Sequence, residues 1–274
     1  MASQANPLQN QKSLTTRSST GSALSVFFTL TTLLGLSVPV FAAHEGYGAA
    51  LCKNRGFECV RVKKGDTWAR LFPDHDERRL VRRLNRMNIE PRKGQRLAVP
   101  VDRSTSDPMD FAPFPPQIQP GKTNKVVISQ KELAWGAYDS EGTLVYWGPI
   151  SAGRGYCEDT GESCETPSGT FTAFRREGAD CASTVYPVGE GGAPMPYCVF
   201  FNGGIALHGS SEVPGYNASH GCVRLFIEDA EWLNESFIEI GRTRVVVEEE
   251  LPAERRESEA VSSGTEPDAM ASWR

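Results

Sequence analysis

Apolar and polar positions divide the chain into regions with different periods. Residues 23–40 form a continuous apolar stretch behind Lys12 and Arg17, and no acidic residue occurs before Glu45. Pro39 then leads into Val40-Phe41-Ala42, with small residues three and one positions before a cut. This layout predicts a secretory signal peptide over residues 1–42. The alternative is an uncleaved signal anchor, because the stretch is near the length that spans a bilayer. Residues 43–59 follow, with Cys52 and Cys59 around a Gly-containing turn. From 60 to 101 the pattern changes. Val60 and Val62 alternate with Arg61, as in a strand. Gly65-Asp66-Thr67 marks a turn into a helix. Leu80, Val81 and Leu84 are spaced as one helical face. Leu97 and Val99 alternate into Pro100 as a second strand. The predicted order is strand, helix, helix, strand. Residues 102–124 carry five prolines and read as an extended, semi-rigid linker whose Phe111, Phe114 and Ile118 lie along a domain surface. From 125 to 248 short β-branched and aromatic runs alternate with Gly, Asp-Ser and Pro breaks, the pattern of an antiparallel sheet system. One helix is expected over 227–237, with Ala230, Leu233 and Phe237 on one side, before a closing strand in "TRVVVEEE". Residues 249–274 lack hydrophobic periodicity and read as a disordered acidic tail.

Composition narrows the function. The 274 residues carry a formal net charge of -5, which disfavours a general nucleic-acid binder. Seven cysteines are an odd number for an exported chain, so one thiol is either bridged to another molecule or kept free. Locality suggests the pairs Cys52–Cys59, Cys157–Cys164 and Cys181–Cys198, leaving Cys222. Six cysteines alone allow 15 connectivities, so spacing by itself leaves others open.

The chemistry concentrates in one segment, "IALHGSSEVPGYNASHGCVRLF". It holds two of the four histidines, His208 and His220, together with Cys222. A cysteine nucleophile needs an imidazole to take its proton and amide donors for the oxyanion that follows. Gly209 and Gly221 flank these groups and permit close backbone approach. Zinc ligation by His208, His220 and Cys222 is the other reading of these residues, although the usual paired-ligand spacing is lacking. No metal or other cofactor is expected.

"HG", a loop, then "SHGCVRL" resembles the signature of YkuD-type L,D-transpeptidase catalytic domains. "TPSGTF" at 166–171, "KVVISQKELAWGAYDSEGTLVYWGPISAGRG" and "MPYCVFFNGGIALHG" are similar to further elements of that family. The resemblance spans 125–248 and implies a mainly β, antiparallel, β-sandwich-like catalytic domain. It implies Cys222 as nucleophile and His208 as general base, oriented by the Gly209 carbonyl. His220 would be a second base or a hydrogen-bond support. Gly221 and Cys222 would supply oxyanion amides. Ser219 would brace the loop and contact substrate, and Arg224 would position it. Tyr197, Asn202 and Tyr216 are candidates for lining the cleft. "VKKGDTW", "LNRMN" and "RKGQRLAVP" resemble a LysM peptidoglycan-binding module, a small βααβ domain over 60–101. As a mere spacer that region would instead present a solvated basic face of Arg78, Arg79, Arg82, Arg83 and Arg86. The partners so implied are peptidoglycan stem peptides and glycan strands in the periplasm or cell envelope. A membrane is a partner only if the signal segment stays uncleaved. Alternatives are hydrolytic release of the same acyl-enzyme, as in a carboxypeptidase or endopeptidase, and a non-catalytic wall-binding protein.

Overall fold

The computed structural model describes residues 46–102, 107–185 and 193–248. The expected signal segment and acidic tail lie outside the described residues. Among those described, no helix is long and apolar enough to cross a membrane.

The first elements are α1 (Tyr47–Leu51), β1 (Phe57–Arg61), α2 (Trp68–Leu71), α3 (His75–Leu84) and β2 (Arg96–Pro100). Asp74 starts α3 by accepting from the amides of Asp76 and Glu77, which satisfies two donors that the first helical turn leaves unpaired. β1 and β2 pair antiparallel, from Phe57↔Pro100 to Arg61↔Arg96. Val62, Trp68, Phe72, Val81, Met87, Leu97 and Val99 fill a small core beneath them, and a Cys52–Cys59 disulfide ties the end of α1 to β1.

Helix α3 departs from its sequence pattern. Leu80, Val81 and Leu84 do not share one core. Val81 enters the small core, whereas Leu80 and Leu84 join Ala134, Tyr138, Leu144 and Trp147 in a second cluster. Two arginines of the supposed basic face, Arg83 and Arg86, are each 2% exposed. The helix is wedged between two apolar surfaces, so side chains on both of its flanks are desolvated. The 107–124 segment seals this seam. Phe111, Phe114 and Ile118 pack on the same cluster, and the Trp147 and Tyr138 side chains donate to the Pro108 and Pro115 carbonyls at 2.7 and 2.8 Å.

The second part contains β3 (Lys125–Ser129), β4 (Ala134–Tyr138), β5 (Leu144–Ser151), β6 (Gly155–Cys157), β7 (Glu162–Cys164), β8 (Gly169–Thr172), β9 (Arg175–Arg176), β10 (Val199–Asn202), β11 (Ile205–Gly209), β12 (Val223–Leu225), α4 (Ile227–Trp232) and β13 (Arg244–Val247). A π turn over Leu233–Phe237 extends α4. Nine strands form one sheet in the order β8-β13-β3-β4-β5-β12-β11-β10-β9. Its two edge strands, β8 and β9, are separated in sequence only by Ala173 and Phe174. Ala173 donates to Thr243 and Phe174 to Phe200, so the chain steps from one edge to the other and the sheet must curl. The curl encloses Val126, Ile128, Trp135, Ile150, Phe201, Leu207, Val223, Leu225 and Leu233.

The fold is mainly β, but the sheet is mixed. β13/β3 and β11/β12 run parallel. Parallel neighbours need crossover connections. The loop after β11 supplies one, and α4 with its π turn lies on the path into β13.

Candidate active site

Strand β11 and the short β12 carry the centre of the site. Their parallel register sets Leu207 beside Val223 and His208 beside Arg224. Side chains alternate along a strand. Leu207, Val223 and Leu225 point into the main core, so His208 and Arg224, with Cys222 just ahead of β12, emerge on the opposite face. Cys222 there packs on Cys181, Met195, Cys198, Phe200 and Ala206.

His208 is 6% exposed, and its Nδ1 lies 2.9 Å from the Gly209 carbonyl. A carbonyl only accepts, so Nδ1 bears the proton and Nε2 keeps its lone pair. Burial lowers its pKa to about 4, against the pull of the Gly209 carbonyl and with Arg224 adding to the effect. The imidazole is therefore neutral at pH 7 and able to take a proton. Cys222 is the free cysteine. Burial pushes its thiol pKa up, while the Ala206 amide and the Arg224 charge pull it down. Its Sγ lies 3.7 Å from the Gly204 carbonyl, in the β10–β11 turn. Neutral imidazole and thiol on one strand pair suit proton transfer during attack rather than a standing thiolate.

The peptide before the thiol is fixed by two buried hydroxyls. Ser219, 2% exposed, accepts from the Gly221 amide at 3.0 Å and donates to the Cys222 carbonyl. Thr166 donates to the Gly221 carbonyl at 2.7 Å and accepts from the Gly153 amide at 2.9 Å. Gly221 has φ +117°, which a residue with a Cβ rarely adopts. The Gly221 amide is thus already engaged by the Ser219 hydroxyl, and the buried Ser219 side chain braces the loop. The sequence signal for Thr166 is its place at the head of the "TPSGTF" element.

His220 faces a different neighbour. Its Nε2 lies 2.7 Å from the Asp159 carboxylate, and that contact holds the Asp159 carboxyl below its usual pKa. Asp159 belongs to the loop between β6 and β7, closed by the Cys157–Cys164 disulfide. Arg224 reaches the Glu212 carbonyl at 3.3 Å and its carboxylate at 3.7 Å. Neither Asp159 nor Glu212 stood out in the sequence, because nothing local marks a partner that a loop delivers. Asn202 ends β10, two residues before Gly204, whose carbonyl the thiol approaches. The Tyr197 ring packs on the main core and its hydroxyl donates to Glu231 of α4 at 2.7 Å. Tyr216 contributes its carbonyl, which accepts from Ser151 at 2.8 Å.

The zinc reading is not supported by these positions. Among the described residues, two groups of metal-capable side chains converge, Cys157–Cys164–His220 and Glu177–Cys181–Cys198. In each, the sulfurs are already joined as disulfides.

A curled mixed sheet presenting a free cysteine and a buried neutral histidine on one face fits cysteine-dependent acyl transfer. Residues 123–247 match the model of the YkuD family, described as the L,D-transpeptidase catalytic domain. Similar solved structures include an L,D-transpeptidase from Xylanimonas cellulosilytica DSM 15894, with 28% identity and a TM-score of 0.45, covering 58% of this chain and 73% of that one. Another, from Stackebrandtia nassauensis, has 20% identity and a TM-score of 0.44, covering 65% and 79%. An L,D-transpeptidase from Mycobacterium tuberculosis H37Rv has 24% identity and a TM-score of 0.39, covering 46% of this chain. This chain spans 58% of that protein's length. No curated protein matches the chain.

Proposed function

We propose that the protein is an exported peptidoglycan L,D-transpeptidase whose acyl-enzyme forms on Cys222. The observation that carries this reading is the shared face of His208, Cys222 and Arg224 within the matched domain. The Cys222 sulfur attacks the carbonyl carbon of the diamino acid in a tetrapeptide stem, and its proton passes to His208 Nε2. The Cys222 amide meets the oxyanion, since the Gly221 amide is held by Ser219. Collapse breaks the bond to D-alanine, which leaves as an amine carrying the His208 proton. An acceptor amine then attacks the thioester, gives its proton to His208, and releases the thiol. Arg224 engages a substrate carboxylate, a geometry that guanidinium suits. Residues 60–101 are assigned to wall contact on their LysM resemblance. Export rests on the 1–42 segment and on three disulfides, which persist in oxidising compartments.

The test incubates the purified protein with defined tetrapeptide muropeptides and follows products by mass spectrometry. Dimers joined between two diamino acids are expected, and tripeptides alone would replace transfer with hydrolysis. Absence of turnover, or undiminished turnover by Cys222→Ser, would overturn the reading.

A further inference from the structure

The crossover from β11 to β12 spans residues 210–222 and so links His208 to Cys222. One side of it is stitched to β5, where the Ser151 hydroxyl donates to the Tyr216 carbonyl and accepts from the Ala218 amide, at 2.8 and 3.1 Å. The other side is stitched to the N-terminal elements, about 120 residues earlier in the chain. Asn88 makes three hydrogen bonds there. Its backbone amide donates to the Val213 carbonyl at 2.9 Å. Its side-chain amide donates to the Ser210 carbonyl at 2.7 Å, and its side-chain oxygen accepts from the Val213 amide at 2.8 Å. The neighbouring Met87 forms a bridge with Pro214, and the Tyr47 amide donates to Gly215 at 3.1 Å.

The Asn88 side chain thus closes the 210–213 turn as a peptide group would, with one donor and one acceptor in a plane. Between its two anchors lies Glu212, whose amide donates to the Ser210 hydroxyl at 3.0 Å. Glu212 in turn offers its carbonyl and carboxylate to Arg224, the register partner of His208.

We propose that Asn88 is a positioning residue for the transfer reaction: by closing the 210–213 turn it fixes Glu212, and through it the Arg224 guanidinium beside Cys222. The proposal rests on the acyl-transfer reading given above. It makes the N-terminal elements part of the active-site scaffold. Loss of the clamp loosens the substrate-facing cation and leaves the thiol and its imidazole in place.

The experiment uses the full chain with Asn88→Ala, alone and in an Arg224→Ala background. Donor KM and kcat are measured beside the rate of Cys222 alkylation by iodoacetamide, a small neutral probe that needs no guanidinium. The expected result is a rise in donor KM of about fivefold or more, with alkylation within about twofold of wild type. In the Arg224→Ala background, Asn88→Ala should add less than about a twofold change, because coupled positions are not additive. Asn88→Asp keeps the acceptor for Val213 but sets a carboxylate oxygen against the Ser210 carbonyl. It should raise KM as well, and it carries the comparison if the alanine variant fails to fold. A KM within twofold of wild type, an alkylation rate that falls in step with turnover, or a full Asn88 effect without Arg224 would each overturn the proposal. A wild-type protein without turnover would instead defeat the acyl-transfer reading, so the two failures are distinct.

Discussion

Two regions frame the site, and they are held together by different means. On one side, α3 meets the sheet in a seam with buried charge. Arg83 pairs with Asp229 at 2.7 Å, contacts the Tyr146 hydroxyl at 3.1 Å and donates to the Trp147 carbonyl. Arg86 lies over the rings of Tyr47 and Trp147, at 4.4 and 4.7 Å, and donates to the Glu132 carbonyl at 3.0 Å. On the other side, the β6–β7 hairpin and the stretch preceding β10 form a rim tied by the Cys157–Cys164 and Cys181–Cys198 disulfides. The seam has large apolar side chains around its charges, so it can desolvate them and still satisfy most of their hydrogen bonds. The rim carries exposed residues such as Tyr156 and Val185, and its cross-links reinforce only a small apolar cluster around Cys181, Met195 and Cys198. Chain-entropy arguments assign such loops a few kcal/mol.

Breaking the seam should cost most. Arg83→Met leaves Asp229, which is fully buried, without its cation. Burial already pushes the Asp229 carboxyl up, opposed chiefly by Arg83. Removing one partner of a buried pair typically costs about 3–5 kcal/mol, measurable by urea denaturation. Adding Asp229→Leu should recover much of that loss, since no orphaned charge then remains. Gly148 provides a second break in the same place. A Cβ there would sit 2.1 Å from the Asp229 carboxylate and 2.6 Å from Trp135 Nε1, so Gly148→Ala should also destabilise the fold, checked by thermal melting.

His208 gives an effect of similar size that acid reveals. Its folded-state pKa of about 4 lies below the ordinary histidine value of 6.5. The unfolded chain therefore binds the extra proton first. The stabilisation is fully present above about pH 6.5, and roughly 3 kcal/mol is lost as pH falls through about 4. A His208→Gln variant should flatten that pH dependence in denaturation experiments. In the wild type, turnover should hold down to about pH 5 and fall below it as Nε2 becomes protonated.

Opening the rim should cost less than opening the seam. The Cys181–Cys198 bridge spans a sequence separation of 17, and Cys181→Ser with Cys198→Ser should destabilise by about 3 kcal/mol. Cys157–Cys164 spans 7, and the same treatment there should cost about 2.5 kcal/mol. That second pair should reveal itself more in activity, because its loop carries Asp159 to His220. The smallest change in stability is expected for Asp159→Asn. Its side chain is half exposed, so the melting temperature should hardly move. A drop in kcat at unchanged donor KM would place His220 in the chemistry, whereas an unaltered kcat would leave it a loop support.

Much of this was legible along the chain because it is local. The disulfide pairs are the ones that short spacing suggested, and the structure contains those three. Alternating β-branched runs anticipated the strands, and the 227–237 helix appears as α4 continued by a π turn. His208, Gly209 and Cys222 stood out because so few histidines and free thiols exist to compete with them. The parallel ladders did not stand out, since a strand's own pattern carries no direction.

Arg83 and Arg86 mark the boundary between the two kinds of knowledge. An arginine-rich helix ordinarily reads as solvated, and no residue near these two in sequence says otherwise. Their burial depends on Trp147, Tyr146 and Asp229, which lie 60 to 150 residues away. The same holds for Asn88 against Val213 and for Asp159 against His220. The sequence determined the strands and made the local cross-links and the candidate pair His208 and Cys222 legible, because these are written in spacing, residue type and motif. Tertiary structure decided which charges lose water and which loops meet, because desolvation and pairing belong to surfaces that exist only once distant segments have packed together.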